Sequence, residues 1–184
     1  MYEEIVSSLR ESLTDVRFDH TMGVCEAAVS LAIKFGESKE KAYLAALLHD
    51  CGRILNVGEL LKYCNQYGIE LDEYVKKDVN LIHALVGADM AKRHYGVDDD
   101  YVLTAVKRHT TGCADMTLLD KIIFVADAIE PNRAGKDVDE ARHAAEYDLD
   151  AALPLALRVK TRYITAFNGT LHPDSVQMLA HHPA

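Results

Sequence analysis

The sequence lacks long hydrophobic runs, and this excludes a membrane-spanning helix. Its longest unbroken apolar runs, residues 42–48 and 151–157, are seven residues each, whereas a membrane span needs about 20. The first residues, MYEEIVSSLRESL, are acidic and lack the apolar core of a signal peptide. We therefore expect a cytoplasmic protein that has no contact with a membrane.

A surplus of positive charge is also missing, because the 184 residues carry a formal net charge of −9. Binding to duplex nucleic acid or to an anionic membrane requires a basic face. We therefore expect neither as a partner. A small anionic substrate remains compatible with this charge, since a few local cations or bound metal ions can reverse the field inside one cleft.

Cysteine is scarce, and its spacing excludes two kinds of site. The four cysteines, Cys25, Cys51, Cys64 and Cys113, include no C-x-x-C pair. This argues against a zinc ribbon and against a thioredoxin-type redox site. In a protein without a signal peptide we expect them to be reduced, buried and inert.

Apolar residues recur at helical spacing along almost the whole chain, while the alternation of β-strands is scarce. One such helix is marked by Val24, Ala27, Ala28, Leu31 and Phe35. No linker rich in Gly, Ser or Pro interrupts the pattern, and there is no repeat. The sequence predicts one all-α domain over residues 1–184, with a core at about 17–130 and C-terminal helices at 137–182 packed on it.

Polar and breaking residues indicate where several helices begin and end. Two capping boxes are predicted, Asn56 with Glu59 and Thr117 with Asp120. Residues 135–139 are predicted to form a mobile loop. Pro154 is predicted either to kink the last long helical region or to lie in the first turn of a new helix starting at Asp150. That region is predicted to end at Asn168-Gly169.

Four of the nine histidines lie inside apolar helical segments, each on a different predicted helix: His20, His49, His83 and His109. Two acids, Asp50 and Asp127, also lie on inward faces, where an ionised carboxylate is rare unless it is paired or binds metal. A single core histidine is more often bonded to the backbone, and a single buried acid can cap a helix or pair with arginine. Six such residues together require a positive charge between them, which a metal ion supplies.

Six ligands are too many for one tetrahedral zinc ion, and they suit two ions with five or six ligands each. One carboxylate that bridges both ions is the economical arrangement. Asp50 is the predicted bridge, because it follows His49 directly and adjacent helical residues point about 100° apart.

The order His20, His49-Asp50, His83, His109, Asp127 resembles that of the HD-domain metal-dependent phosphohydrolases. More narrowly, the chain is similar to the YqeK family of symmetrical diadenosine tetraphosphate hydrolases. The resemblance extends from about Arg17 to Ser175 and is carried by the segments HTMGV, LAALLHD, LIHALVGA, RHTTG, KIIFVADAIEPNR and LHPDS. One departure is Arg53, where relatives often carry lysine.

The resemblance implies an HD-domain helical bundle that hydrolyses a P–O–P bond, with Asp50, Arg53 and Arg133 as catalytic residues. It assigns His20, His49, Asp50 and Asp127 to one metal ion and Asp50, His83 and His109 to the other. It points to iron, while mixed imidazole and carboxylate ligands suit manganese and zinc as well.

Nucleotide binding is predicted at Arg17, Arg53, Thr110, Thr111, Arg133 and His172. Arginine can bind phosphate through two N–H groups at once. Alternatives stay open for two of these residues: Arg17 could equally be a solvated surface residue, and His172 could equally cap a helix. The expected partner is a small nucleotide, and a homodimer is left open.

Two other functions are compatible with the same ligands. HD-fold di-iron oxygenases share a similar set, and a nucleotide sensor would keep the metal without turnover. The arginines favour a polyphosphate substrate, and the complete set of six ligands favours an enzyme.

Overall fold

A computed structural model describes residues 2–165 and 171–182. Within these ranges the chain forms no β-strand, so the all-α prediction is confirmed. The helices are α1 (Tyr2–Ser12), α2 (Asp15–Phe35), α3 (Lys39–Leu48), α4 (Val57–Tyr67), α5 (Glu73–Lys77), α6 (Ile82–Arg93), α7 (Asp100–Arg108), α8 (Leu118–Ile129), α9 (Lys136–Ala145), α10 (Leu149–Thr165) and α11 (Pro173–His181). Two 3-10 turns, Cys51–Ile54 and Val79–Leu81, precede α4 and α6.

Helix α8 forms the centre of the bundle. From Leu119 to Ile129 every residue except Lys121 is buried, and Phe124 is among the largest fully buried side chains. Helices α2, α3, α7, α9 and α10 all pack against α8. A helix that is apolar on all sides is stable only when other elements surround it. A charged residue within α8, such as Asp127 in its last turn, is therefore forced into the interior.

The capping boxes predicted from the sequence are confirmed. Asn56 with Glu59 opens α4, and Thr117 with Asp120 opens α8, each with both reciprocal hydrogen bonds. Asp120 also accepts a hydrogen bond from Arg108 at 2.9 Å. This ion pair ties the end of α7 to the start of α8, so two neighbouring helices that carry site residues are held in register.

A close backbone contact holds the turn after Asp50 against α6. A β-carbon added to Gly52 would overlap the carbonyl oxygen of His83. Next to it, the Cys51 thiol donates to the Gly87 carbonyl oxygen at 3.3 Å. Only glycine at position 52 lets the turn lie this close to the first turn of α6, and this contact sets the distance between Asp50 and His83.

Two predicted boundaries differ from the structure. The mobile loop predicted at 135–139 is wrong, because α9 begins at Lys136 and Val138 is buried. Arg142 donates to three carbonyl oxygens, those of Ile129, Glu130 and Arg133, and this fixes the connection from α8. Pro154 lies inside α10, which begins at Leu149 rather than at Asp150. The predicted helix end at Asn168-Gly169 lies outside the described residues.

The cysteines are all free thiols, as predicted, and three of them, Cys25, Cys51 and Cys64, are buried. Burial raises the pKa of Cys25 to about 12 and also raises the pKa of Cys51. Both therefore stay protonated at neutral pH and are poor nucleophiles. None of the helices that the structure describes has the length and apolar character needed to cross a membrane.

Candidate metal centre

Five elements bring the six predicted ligands into one buried cluster. The histidines come from α2 (His20), the end of α3 (His49), the start of α6 (His83) and the end of α7 (His109), and the acids are Asp50 and Asp127. All six are buried, with at most 9% of the residue surface exposed. Apolar helical segments, or for Asp50 the turn directly after α3, carry them inward, which is why the spacing in the sequence locates them.

Asp50 lies between two pairs of histidines, and each of its oxygens faces one pair. Its Oδ1 atom lies 3.1 Å from His83 Nε2 and 3.7 Å from His109 Nε2. Its Oδ2 atom lies 3.6 Å from His49 Nε2 and 3.9 Å from His20 Nε2. Two groups of potential ligand atoms, His20-His49-Asp50 and Asp50-His83-His109, thus share one carboxylate.

Asp127 extends the first of these groups. Its Oδ1 atom lies 3.2 Å from His20 Nε2. The Nε2 atoms of His20 and His49 are fully buried and have no hydrogen-bond partner. A buried polar atom without a partner is costly and rare in folded proteins, so these two nitrogens mark a place where a further group belongs.

The other ring nitrogen of three histidines is bonded to a backbone carbonyl. His49 Nδ1 donates to the Ala46 carbonyl oxygen at 2.6 Å, and His109 Nδ1 donates to the Val106 carbonyl oxygen at 2.7 Å. His83 makes the equivalent bond to Asn80. Because a carbonyl only accepts, each Nδ1 carries the proton and each Nε2 presents a lone pair.

Two such lone pairs meet at His83 and His109, whose Nε2 atoms are 3.1 Å apart. Neutral acceptor atoms at this distance repel each other unless a cation lies against both. Together with the unpartnered nitrogens of the other two histidines, this donor set fits divalent metal ions, which take neutral imidazole and carboxylate ligands. The cluster is therefore a divalent-metal site.

The electrostatics of the cluster favour the ligand form of each group. Burial lowers the pKa of His49 to about 4, so its ring is neutral at pH 7. Burial by itself raises the pKa of Asp50, but the neighbouring His49, His109 and His83 hold that pKa well below its usual value. Asp127 behaves in the same way, with burial opposed first by Lys160. Both acids are thus carboxylates across the physiological range.

The three arginines predicted to bind phosphate lie at the rim of the cluster and contact its carboxylates. Arg17 donates through Nη1 to Asp50 Oδ2 at 2.7 Å, and Arg53 through Nε to Asp50 Oδ1 at 2.9 Å. Arg133 donates through Nη2 to Asp127 Oδ1 at 3.0 Å. Their side chains are 37%, 32% and 26% exposed. A guanidinium has five N–H donors, so each can reach from a buried carboxylate to an anion in solvent.

The remaining predicted contacts lie beside the histidine of α7. Thr110 and Thr111 follow His109 and are half-buried. The Thr111 carbonyl accepts from Ser175 Oγ at 2.8 Å, so α11 is tied to this corner. His172 is the N-cap residue of α11: its Nδ1 accepts from Asp174 N, and its Nε2 lies 3.0 Å from Asp72 Oδ2. The helix-cap alternative is therefore confirmed, and contact between His172 and a nucleotide stays a prediction.

Sequence reasoning missed Lys160, a largely buried cation beside Asp127. Its Nζ contacts Asp127 Oδ2, donates to the His109 carbonyl oxygen at 2.9 Å, and lies 4.5 Å from the centroid of the Phe124 ring. Burial lowers the pKa of Lys160, while Asp127 acts in the opposite direction. Its one sequence signal is its place three residues after Leu157, on the apolar face of α10.

Comparison with known proteins agrees with this geometry. The family profile described as the HD domain matches residues 17–132. The symmetrical bis(5'-nucleosyl)-tetraphosphatase of Bacillus subtilis is 37% identical over 173 residues, which cover 94% of this chain and 92% of that protein. A protein of the same name from Halalkalibacterium halodurans is 36% identical over 91% of this chain and 89% of its own length.

A solved structure has the same fold. The crystal structure of a Clostridium acetobutylicum protein, described as a predicted HD superfamily hydrolase involved in NAD metabolism, has a TM-score of 0.92 and 38% identity. The match covers 98% of this chain and 96% of that one. Since the profile covers more than half of the chain and the relatives align over nearly its full length, the chain belongs to the HD-domain family.

Proposed function

We propose that this protein is a metal-dependent phosphohydrolase that cleaves diadenosine tetraphosphate symmetrically into two molecules of ADP. One observation carries the proposal: three arginines contact the carboxylates of a buried His/Asp metal cluster while their side chains still reach solvent. The names of the relatives from two bacteria, at 36–37% identity over nearly the whole chain, support the substrate.

We propose two ions per chain, with iron as the metal and manganese or zinc as alternatives. One ion would be held by His20, His49, Asp50 and Asp127, and the other by Asp50, His83 and His109, the two groups that share Asp50. A pair of divalent ions, when bound, supplies Lewis-acid activation of water and neutralises charge that develops on the attacked phosphate.

The arginines hold the polyphosphate against the cluster. Arg53 and Arg17 contact opposite oxygens of Asp50, and Arg133 contacts Asp127. Phosphate oxygens compete well for guanidinium groups because charge-assisted bonds to arginine can form in pairs. A tetraphosphate carries several such oxygens and can engage more than one arginine at a time, which a neutral substrate cannot.

The position of the cut follows from the number of phosphates that the arginines bind. If Arg53 and Arg133 hold the two phosphates of one ADP half, the second phosphorus from that nucleoside faces the cluster. The bond that breaks is then the central P–O–P bond, and the leaving group is the other ADP. Asp50, Arg53 and Arg133 are the residues proposed to act in this step.

An assay with a panel of substrates tests the function against its alternatives. The metal-loaded protein is incubated with diadenosine tetraphosphate, ATP and NAD⁺, and the products are separated. A hydrolase of the proposed kind converts the first substrate fastest, and Asp50→Ala abolishes turnover. Oxygen uptake in place of nucleotide hydrolysis supports a di-iron oxygenase, and tight binding without products supports a nucleotide sensor; either result rejects the proposal.

A further inference from the structure

The Nδ1 atom of His20, the ring nitrogen that faces away from the cluster, has a different kind of partner from the Nδ1 atoms of the other three histidines. His49, His83 and His109 each bond Nδ1 to the backbone carbonyl three residues earlier in the chain. His20 Nδ1 instead lies 3.2 Å from the Glu130 side-chain oxygen Oε1, 110 residues away. Among the four, His20 alone has a charged outer partner.

The position of His20 in its helix explains this difference. His49 and His109 occupy the C-cap positions of α3 and α7, where the last carbonyls of a helix are left free. The acceptor of His83, the Asn80 carbonyl, lies before α6 begins. His20 lies well inside α2. The carbonyl three residues before it, that of Arg17, already accepts the Thr21 hydroxyl at 3.0 Å. The ring must therefore find its acceptor on another helix.

Glu130 is held in place to serve as that acceptor. It ends α8, three residues after Asp127, so both acids face α2 from one side of the same helix. Glu130 is 2% exposed, and its Oε2 atom accepts a hydrogen bond from the Asn132 backbone N–H at 2.6 Å. On the α2 side, a β-carbon at Gly23 would lie 2.5 Å from Oε2. The absence of a side chain at position 23 leaves the space that the carboxylate fills.

We infer that Glu130 is a positioning residue, which fixes the His20 ring with its proton on Nδ1 and its Nε2 lone pair directed at the metal. Asp127 Oδ1 lies 3.2 Å from Nε2 but forms no hydrogen bond with it. A carboxylate only accepts, so the bond to Glu130 selects this tautomer. Such outer partners also raise the basicity of a histidine ligand, and their removal typically lowers metal affinity 10–100-fold. The inference rests on the metal site of the proposed function and not on the hydrolysis reaction.

Zinc binding by the full-length protein tests the inference. Zn²⁺ affinity is measured by competition with a chelator for the wild type, Glu130→Ala and Glu130→Gln. We expect Glu130→Ala to bind Zn²⁺ 10–100-fold more weakly. We expect Glu130→Gln, which keeps an acceptor but loses the charge, to recover part of this loss. The matched control is Glu37→Ala, which removes a half-buried glutamate bonded to Tyr101 at the other end of α2 and should leave affinity unchanged.

Nitrogen NMR of the metal-free protein gives a readout that general destabilisation would not produce. The wild type should show His20 protonated at Nδ1, and Glu130→Ala should show a mixture of tautomers. Gly23→Ala is a second variant that keeps Glu130 but displaces its carboxylate, and it should weaken Zn²⁺ binding in the same direction. If Glu130→Ala fails to fold, Gly23→Ala decides the question.

The outcomes separate two kinds of failure. Equal Zn²⁺ affinity in the wild type and in the folded variants, with the His20 tautomer unchanged, overturns the role of Glu130 and leaves the metal site standing. A wild-type protein that binds no Zn²⁺ rejects the metal site itself.

Discussion

Asp50 reaches His83 through one oxygen only: Oδ1 lies 3.1 Å from His83 Nε2, while Oδ2 faces the opposite half of the cluster. The single carboxylate therefore belongs to both groups of ligand atoms. Each group would lose a ligand if this side chain were removed, so the occupancy of the two metal positions should be coupled.

Asp50→Ala should lose metal from both positions together, because its carboxylate is shared. Elemental analysis of the purified variant checks this against the wild type. Asp89→Ala is a matched control, since Asp89 is a half-buried acid of α6 that pairs with Arg93 and Tyr63 and touches none of the six ligands. A full metal complement in Asp50→Ala would show that this residue does not bridge two ions.

Lys160→Met should lower the free energy of unfolding of the metal-free protein by about 3 kcal/mol, the scale for breaking a buried ion pair. The lysine and Asp127 are only 10% and 12% exposed, so the carboxylate would lose its main compensating charge. The His109 carbonyl would lose a donor as well. Urea unfolding in the presence of a chelator measures the difference.

Lys121→Met provides the matched control for that measurement. Lys121 also forms an ion pair with an aspartate, at 2.5 Å, but its partner Asp150 is half exposed. Exposed pairs typically contribute under about 1 kcal/mol. Equal losses in the two variants would mean that Lys160 has no special part in holding Asp127.

The stability of the metal-free protein should rise with pH between about 4 and 6.5. Burial lowers the pKa of His49 from its ordinary 6.5 to about 4, and burial also lowers the pKa of His83 and of His109. In this window the unfolded chain binds more protons than the folded chain, so acid favours unfolding. Urea unfolding at a series of pH values checks the slope, and His49→Gln should reduce it. A flat profile would mean that these rings are not buried in the neutral form.

Gly52→Ala should destabilise the protein by about 2 kcal/mol, on the scale of overpacking in a tight interior. Its β-carbon would overlap the backbone carbonyl of His83, which has no freedom to move aside. Gly58→Ala is the control, because its β-carbon meets only Asn56 Oδ1 at 3.4 Å, and alanine favours a helix by up to about 1 kcal/mol. Thermal melting of both variants should show shifts of opposite sign; a stabilised Gly52→Ala would contradict the close contact.

The parts of this protein that follow local rules could be predicted from its sequence. The helices follow apolar spacing, and two of them open at capping boxes that depend on residues three apart, such as Thr117 and Asp120. The six cluster residues stand out because a polar residue within an apolar helical segment must point inward. In each case the residues that form the pattern lie within one or two helical turns of each other.

The parts that depend on contacts between distant segments could not be predicted. Lys160 and Asp127 are 33 residues apart, and His20 and Glu130 are 110 apart, and nothing local distinguishes these charges from surface ones. The loop predicted at 135–139 was wrong for a related reason: its polar composition favours a loop, and the bonds of Arg142 to three carbonyls 9–13 residues earlier in the chain override it.

Chromatography of the products that the metal-loaded protein forms from diadenosine tetraphosphate tests the proposed reaction most directly. We expect ADP as the only nucleotide product, at two molecules per substrate consumed, and no turnover by Asp50→Ala. ATP and AMP in equal amounts would contradict the symmetrical cut, even if metal analysis supported the two-ion site.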